Sequence, residues 1–255
     1  MSVYVTGDCH GDWFKLRRPS FYTREEIKKG DYIIVCGDFG IWHDNNGKES
    51  AKLDILSTLD YTILFVSGNH ENFDRLYSDE FEIVDFHGGK AQKIRDNVYH
   101  LMRGNVYEIE GKKFFAFGGA SSHDIQDGII DPADYESDEE LYNECYKWNK
   151  EHKMFRVKGM SWWERELPTD EEMEYGKKVL AEHNNEVDFV ISHCLPQQAA
   201  AIFSRGGYKC DKLTNYFDEI VEENKFTKWY CGHYHQDWTI MGKFVLLYDC
   251  FERVV

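Results

Sequence analysis

The sequence predicts an α/β fold in which packed sheets are flanked by helices, and three observations carry that expectation. Short β-rich runs end abruptly in Gly, Asp, Asn or His, and amphipathic helical stripes lie between them. No repeat, low-complexity tract or Pro/Gly/Ser linker divides the 255 residues, so one domain spanning 1–255 is expected.

The runs appear in order. Val3–Thr6 precedes Gly7-Asp8, Tyr32–Cys36 precedes Gly37-Asp38, and Tyr61–Ser67 precedes Gly68-Asn69-His70. Phe114–Phe117 leads into Gly118-Gly119, Val187–Ser192 into His193, and Trp229–Cys231 into Gly232-His233. Near-continuous apolar runs of this length suit strands covered on both faces. Polar residues just beyond strand ends are where an α/β sheet places its chemistry. Between the runs, Leu213, Tyr216, Phe217, Ile220 and Val221 form a helical stripe, Leu141, Cys145 and Trp148 a second, and Glu171–Asn184 a third helix. Hairpin-like β segments close the chain over Trp229–Tyr248. The stretch from about 121 to 168 breaks the rhythm, being rich in acids and aromatics and ending in Ser161-Trp162-Trp163-Glu164-Arg165-Glu166-Leu167-Pro168. It reads either as a functional lid or rim, or as a surface helical hairpin with its tryptophans packed inward.

Composition narrows the function classes. Hydrophobic residues make up 42% and prolines number four, a globular balance. No apolar run approaches the roughly 20 residues that span a bilayer, and no signal peptide opens the chain, so a soluble cytoplasmic protein without membrane partners is expected. The formal charge of −16 disfavours long nucleic acid, whose binding depends on Lys and Arg. Seven cysteines without a C-x-x-C pair read as reduced thiols. Four of them, Cys9, Cys36, Cys194 and Cys231, sit near candidate site residues and are expected to face the packed interior rather than bind metal.

The chemistry-bearing fragments are Gly7-Asp8-Cys9-His10-Gly11-Asp12, Gly37-Asp38-Phe39-Gly40, Gly68-Asn69-His70-Glu71, Ser192-His193 and Gly232-His233-Tyr234-His235. Each is weak alone; all five in this order, each at a strand end, are a strong signal. The set resembles the calcineurin-like metallophosphoesterases, whose pattern is D-x-H, G-D, G-N-H-[ED], H and G-H-x-H, and the resemblance spans residues 7 to 235. It implies a β-sandwich of two mixed sheets flanked by helices, with a dinuclear metal site at one edge.

The residue types make physical sense. In Asp8-x-His10 the outer side chains of an extended stretch would share one face and grip one ion, and His233-x-His235 repeats the spacing. The N/O donor set lacks sulfur, which suits Mn²⁺ first, with Fe, Zn²⁺, Co²⁺ or Ni²⁺ as alternatives. By resemblance, one metal takes Asp8, His10, Asp38 and His235; the other takes Asp38, Asn69, His193 and His233, with Asp38 as the bridge. Two such ions activate a bridging hydroxide that attacks phosphorus. His70 resembles the family's catalytic histidine, which stabilises the transition state or protonates the leaving oxygen. His123, directly after a strand, and Trp163 in the 121–168 excursion are candidate substrate contacts. His43, His87, His100, His152 and His183 lack ligand spacing and read as surface or satisfied side chains.

One departure narrows the function. The serine/threonine phosphatase branch and its dinucleotide polyphosphate hydrolase relatives continue as G-D-x-V-D-R-G, where this chain has Gly37-Asp38-Phe39-Gly40-Ile41-Trp42. Ile41 and Trp42 replace the acid that orients the catalytic histidine and the arginine that clamps phosphate, and Ser67 stands where an arginine tends to precede G-N-H-E. The expected substrate is a small nucleotide or phosphorylated metabolite, as a mono- or diester. A phosphoprotein phosphatase or a non-catalytic scaffold on the same fold are the alternatives. The oligomeric state is left open by the sequence.

Overall fold

A computed structural model describes residues 1–43 and 47–255. The strands are β1 (Val3–Thr6), β2 (Tyr32–Val35), β3 (Thr62–Phe65), β4 (Glu82–Phe86), β5 (Gly89–Arg95), β6 (Val98–Leu101), β7 (Asn105–Ile109) and β8 (Lys112–Phe117). They continue with β9 (Gly128–Ile130), β10 (Phe155–Val157), β11 (Phe189–Ser192), β12 (Lys228–Cys231), β13 (Trp238–Ile240), β14 (Phe244–Leu246) and β15 (Phe251–Arg253). The α-helices are α1 (Phe14–Arg17), α2 (Lys48–Leu56), α3 (Phe73–Leu76), α4 (Asp138–Lys150), α5 (Asp170–Glu182), α6 (Gln197–Ser204) and α7 (Lys212–Glu223).

Two mixed sheets form, ordered β15-β1-β2-β3-β6-β5-β4 and β13-β14-β12-β11-β8-β7. In the first, β1, β2, β3 and β6 run parallel, with antiparallel strands at both edges. In the second, β14, β12, β11 and β8 are parallel and β13 and β7 close the edges antiparallel. Alternation along each strand sorts side chains between faces. Val3, Val5, Ile34 and Leu64 of the first sheet meet Phe114, Ala116, Phe189 and Ile191 of the second in one central core. The opposite face of the first sheet, with Ile33, Val35, Ile63 and Phe65, packs on Leu16, Leu53, Leu56 and Leu76 of α1–α3. The opposite face of the second, with Phe115, Phe117, Val190 and Trp229, packs on Leu180, Leu213, Phe217 and Ile220 of α5 and α7. Both faces of both sheets are therefore covered over their central parallel strands, which is why those strands read as unbroken apolar runs. The predicted layered α/β architecture is the one observed.

The helix stripes fall where expected, α7 opening on an Asp211–Thr214 capping box and α5 on a Thr169–Glu172 one. The closing β segment is a true hairpin only over β13 and β14, because β12 pairs with β14 in parallel. Strands β4 to β7 and β15 go beyond the sequence expectation. The four named cysteines are buried in these cores as free thiols, and burial pushes the Cys9 thiol up to about 12. Among the described residues, no helix is long and apolar enough to cross a membrane.

Candidate metal centre

The loops after β1, β2, β3, β11 and β12 converge at one edge of the sandwich. Nitrogen and oxygen atoms of Asp8, His10 and His235 lie within 4.8 Å of one another, as do those of Asp8, Asp38 and His193 and those of His10, Asp38 and His70. Asn69 joins through its Oδ1, 3.3 Å from His193 Nε2. His233 joins through its ring, 5.0 Å from that of His193, while its backbone N–H donates to Asp8 Oδ1 at 3.0 Å. All seven expected residues thus gather at this edge, His233 and Asn69 being tied to the cluster through their contacts with His193.

The expected reason for the Asp8–His10 pairing is corrected by the backbone. The stretch is not extended: His10 is left-handed at φ 50°, and so are Asp38 (45°), His233 (68°) and His235 (49°). The paired spacing works because a turn, rather than strand alternation, swings each histidine inward. The amides of Cys9 and His10 both donate to Asp38 O, binding the first loop to the second. Left-handed non-glycine residues cost on the order of 1–3 kcal/mol each, and such strain gathers at functional sites.

The donor set fits divalent cations. Asp8 and Asp38 are buried carboxylates facing imidazoles and one amide oxygen, with no thiol in the cluster. The approach is so close that a Cβ on Gly68 would lie 2.0 Å from Asp38 Oδ1, and one on Gly232 would lie 2.0 Å from Asp8 Oδ1. Orientation is fixed from behind. His193 Nδ1 donates to Cys36 O at 2.7 Å, which turns Nε2 toward the cluster, and Asn69 Nδ2 donates to Ser122 Oγ at 3.4 Å, which aims Oδ1 at it. Burial opposes charge on His193, but Asp38 and Asp8 outweigh it and lift the ring to about 9. Burial likewise opposes ionisation of Asp38, yet His193, His70 and His10 hold it well below the usual carboxylate range. Burial drives His233 down to about 3.

Three polar residues to which the sequence assigns no role support the centre: Glu71, quoted only as the end of its motif, and Glu166 and Arg156 from the excursion. Glu71 accepts from the amides of Phe39 (2.8 Å), Gly40 (3.1 Å) and Ile41 (2.8 Å), clamping the loop that carries Asp38. Burial and the Asp38 charge push its carboxyl up to about 8 against those three donors. Glu166, at the end of the excursion, accepts from Ser122 N (2.7 Å) and Ser122 Oγ (2.6 Å), so the excursion is bolted to the residue that orients Asn69. Arg156, on β10, is 7% exposed and reaches His70: Nη2 donates to Nε2 at 2.9 Å. Its other anchors are Asp124 Oδ1 (Nε, 2.6 Å) and Ser161 O (Nη1, 2.9 Å). Because a guanidinium only donates, His70 accepts at Nε2 and carries its proton on Nδ1. Burial, with Arg156 adding to it and Asp38 opposing, holds His70 near 4, so the ring is neutral at pH 7. No motif flags Phe155-Arg156-Val157; only the unusual length of the excursion pointed there.

The two weaker sequence candidates part ways. His123 reaches the site, its ring 5.7 Å from that of His233. Trp163 is 5% exposed, its indole N–H donates to Asp74 Oδ2 at 2.8 Å, and its ring lies 5.9 Å from that of His43. The excursion is not the helical hairpin offered as its alternative: β9 and β10 pair in parallel with the single helix α4 between them, one tryptophan is turned inward and Arg156 is turned to His70. Ile41 is fully buried with its amide spent on Glu71, and the Trp42 ring lies 5.9 Å from that of His70, so neither brings charge.

A model of the calcineurin-like phosphoesterase family matches residues 1–237. No curated protein matches the chain in sequence. A solved structure of phosphopantetheinyl hydrolase from Mycobacterium tuberculosis superposes with a TM-score of 0.50 at 15% identity, over 100% of this chain and 95% of that one, a likeness that speaks for the fold alone. With the family match running through all five motifs to the last histidine of the cluster, the chain belongs to the calcineurin-like phosphoesterases and is a metal-dependent hydrolase of phosphate esters.

Proposed function

We propose that the protein hydrolyses a small phosphate ester, a nucleotide or phosphorylated metabolite, at a two-metal centre, with Arg156 as its phosphate-binding cation. The observation that carries this reading is the Arg156–His70 contact at the rim of the donor cluster. Asp8, His10, Asp38 and His235 would hold one ion, and Asp38, Asn69, His193 and His233 the other; Mn²⁺ suits the mixed N/O set. Such ions supply Lewis acidity and an activated water.

The chain's own residues do the rest. Asp124 and Ser161 O hold the Arg156 fork in place, and a phosphate oxygen competes with His70 for its donors. His70, tethered by its backbone N–H to Asp38 Oδ1 at 2.7 Å, faces the leaving oxygen and serves it through a ring nitrogen. Glu71 keeps the Asp38 loop rigid while charge builds on the phosphoryl group. The phosphoprotein phosphatase alternative is weakened by the apolar pair at 41 and 42. The scaffold alternative is weakened because no expected ligand is lacking from the cluster.

The test is turnover of p-nitrophenyl phosphate and bis-p-nitrophenyl phosphate by purified protein supplied with Mn²⁺, Ni²⁺, Co²⁺ or Fe²⁺. Failure with every metal would remove the hydrolase reading. His70→Asn is expected to suppress turnover at unchanged metal content; a loss of bound metal would instead make His70 a ligand.

A further inference from the structure

A recess of about 700 Å³ opens beside His233, and neither the donor cluster nor Arg156 accounts for it. The excursion supplies one side through His123, Ile125 and Gln126, and the 207–211 loop between α6 and α7 supplies another through Tyr208. Its volume is that of a small-ligand site, typically about 300–1,000 Å³, and is more than a phosphate group alone would fill.

Two connections join this recess to the phosphate-binding end of the site. His233, whose ring neighbours that of His193 in the donor cluster, also lines the recess. Arg156 is held by Asp124 Oδ1 at 2.6 Å, and the residue before Asp124 is His123, whose ring lies 5.7 Å from that of His233. A phosphate that meets both the cluster and Arg156 therefore has the recess beside it. The group esterified to that phosphate is what can extend there.

The lining describes that group. Tyr208 is 38% exposed and its ring meets that of Tyr234 edge-on, with centroids 5.3 Å apart, so part of its ring surface is free. Its backbone N–H donates to Ser204 Oγ at 3.2 Å, which anchors the loop that presents it to α6. Ile125 and Ala200 add apolar surface. The charged residues of the lining are Lys209 and Asp211, one of each sign, and the Asp211 carboxylate is engaged by accepting from Thr214 N at 2.8 Å. An aromatic, apolar and charge-balanced lining selects a flat body by stacking and contact area rather than by charge. From this we infer that the recess binds the organic group of the phosphate ester, and that this group carries a flat ring system of nucleobase size. The inference rests on the hydrolase reading proposed above and narrows its substrate class: a bare sugar phosphate would leave the recess empty.

Adenosine 5′-monophosphate and ribose 5-phosphate test this, because they share the ribose 5-phosphate unit and differ by the flat base. Each is measured as a competitor of p-nitrophenyl phosphate turnover by Mn²⁺-loaded protein, a readout that holds whether or not the competitor is itself cleaved. Wild-type protein should bind the nucleotide about tenfold or more tighter than the sugar phosphate. Tyr208→Ala should lower that preference by about three- to tenfold, and Tyr208→Phe should keep it within about twofold. Gln126→Trp, at an exposed position whose new side chain fills the recess, should bring the two competitors close to parity. Ribose 5-phosphate should bind all three variants as it binds wild type, since the donor cluster and Arg156 are untouched. A wild type without the preference would overturn the inference, as would a preference unmoved by both Tyr208→Ala and Gln126→Trp, or an equal loss of both competitors. If p-nitrophenyl phosphate is turned over with no metal, the hydrolase reading itself falls, and this inference with it; turnover without the preference removes the inference alone.

Discussion

Replacing Arg156 by alanine should separate the excursion's contribution from that of the metal ligands. The guanidinium is held at three points, Asp124, Ser161 O and His70, which leaves part of its donor fork free to meet an anion. A hydrogen bond to a charged group is worth about 1.5–3 kcal/mol, so its removal should lower kcat/KM for p-nitrophenyl phosphate by roughly 10- to 200-fold. The Asp124 carboxylate left behind has a side chain 39% exposed and can be solvated, so the folding penalty should stay near about 1–2 kcal/mol. None of the seven candidate ligands touches Arg156, and metal content should equal that of wild type. Arg156→Lys should recover only part of the loss, because one ammonium cannot span Asp124, Ser161 O and the substrate together. The assay is steady-state kinetics with Mn²⁺, alongside metal analysis and a melting curve. A kcat/KM within about twofold of wild type would refute the phosphate-binding role, since even the weakest charged hydrogen bond predicts more.

Three further outcomes follow from the same geometry. Gly68→Ala puts a methyl 2.0 Å from Asp38 Oδ1 and should cost at least about 1–3 kcal/mol with loss of bound metal; Gly111→Ala, where nothing lies within 4 Å, should cost only about 1–2 kcal/mol of left-handed strain and keep the metal, as urea unfolding and metal analysis would show. Glu71→Gln offers one acceptor oxygen in place of two to three converging amides, so a loss of about 1–3 kcal/mol and of activity is expected; a variant as stable as wild type would remove the clamp. His100 is fully buried, and burial lowers it from 6.5 to about 3; the unfolded chain therefore takes up its proton first, and stability falls as pH drops from 6.5 toward 3. From pH 7 to pH 5 this amounts to about 2 kcal/mol, which His100→Asn should abolish in urea titrations at the two pH values while keeping the donor to Gln92 Oε1.

What was legible in the sequence was whatever a strand end forces into local pattern. The parallel strands are buried on both faces, so they stand out as apolar runs, and the ligands follow each run within a few residues. The edge strand β4 and its neighbour β5 are hidden because they meet solvent: Glu82, Asp85, Lys90 and Lys93 interrupt any run. Strand β15 was hidden because its partner β1 lies at the other end of the chain. Arg156 was hidden for the same reason, being 86 residues from His70, and Glu166 lies 44 residues from Ser122. The turn geometry of His10 and His235 was misread because two-residue spacing looks the same in a strand and in a left-handed turn. Only the backbone dihedral distinguishes them.

The bonds that position Arg156 and those that orient the ligands share a support. Ser122 accepts from Asn69 and donates to Glu166, and Glu166 O and Arg165 O both accept from the buried Arg103, at 3.1 and 2.8 Å. The ends of the excursion are therefore pinned to the sheet beside Asn69, and its middle swings out far enough to return Arg156 to His70. In the proposed function, the cation that the phosphatase branch carries next to its bridging aspartate would come here from a separate element, β10. That separation has a physical consequence. The loop from Phe39 to Ile41 is left to serve Glu71 through its backbone, and the apolar side chain at 41 strengthens the packing beneath it. On the function proposed above, substrate charge would be read by the excursion, while the metal-binding loops are held by the sheet and by Glu71. Changes within β9, α4 and β10 should for that reason alter which ester is taken before they alter whether metal is bound.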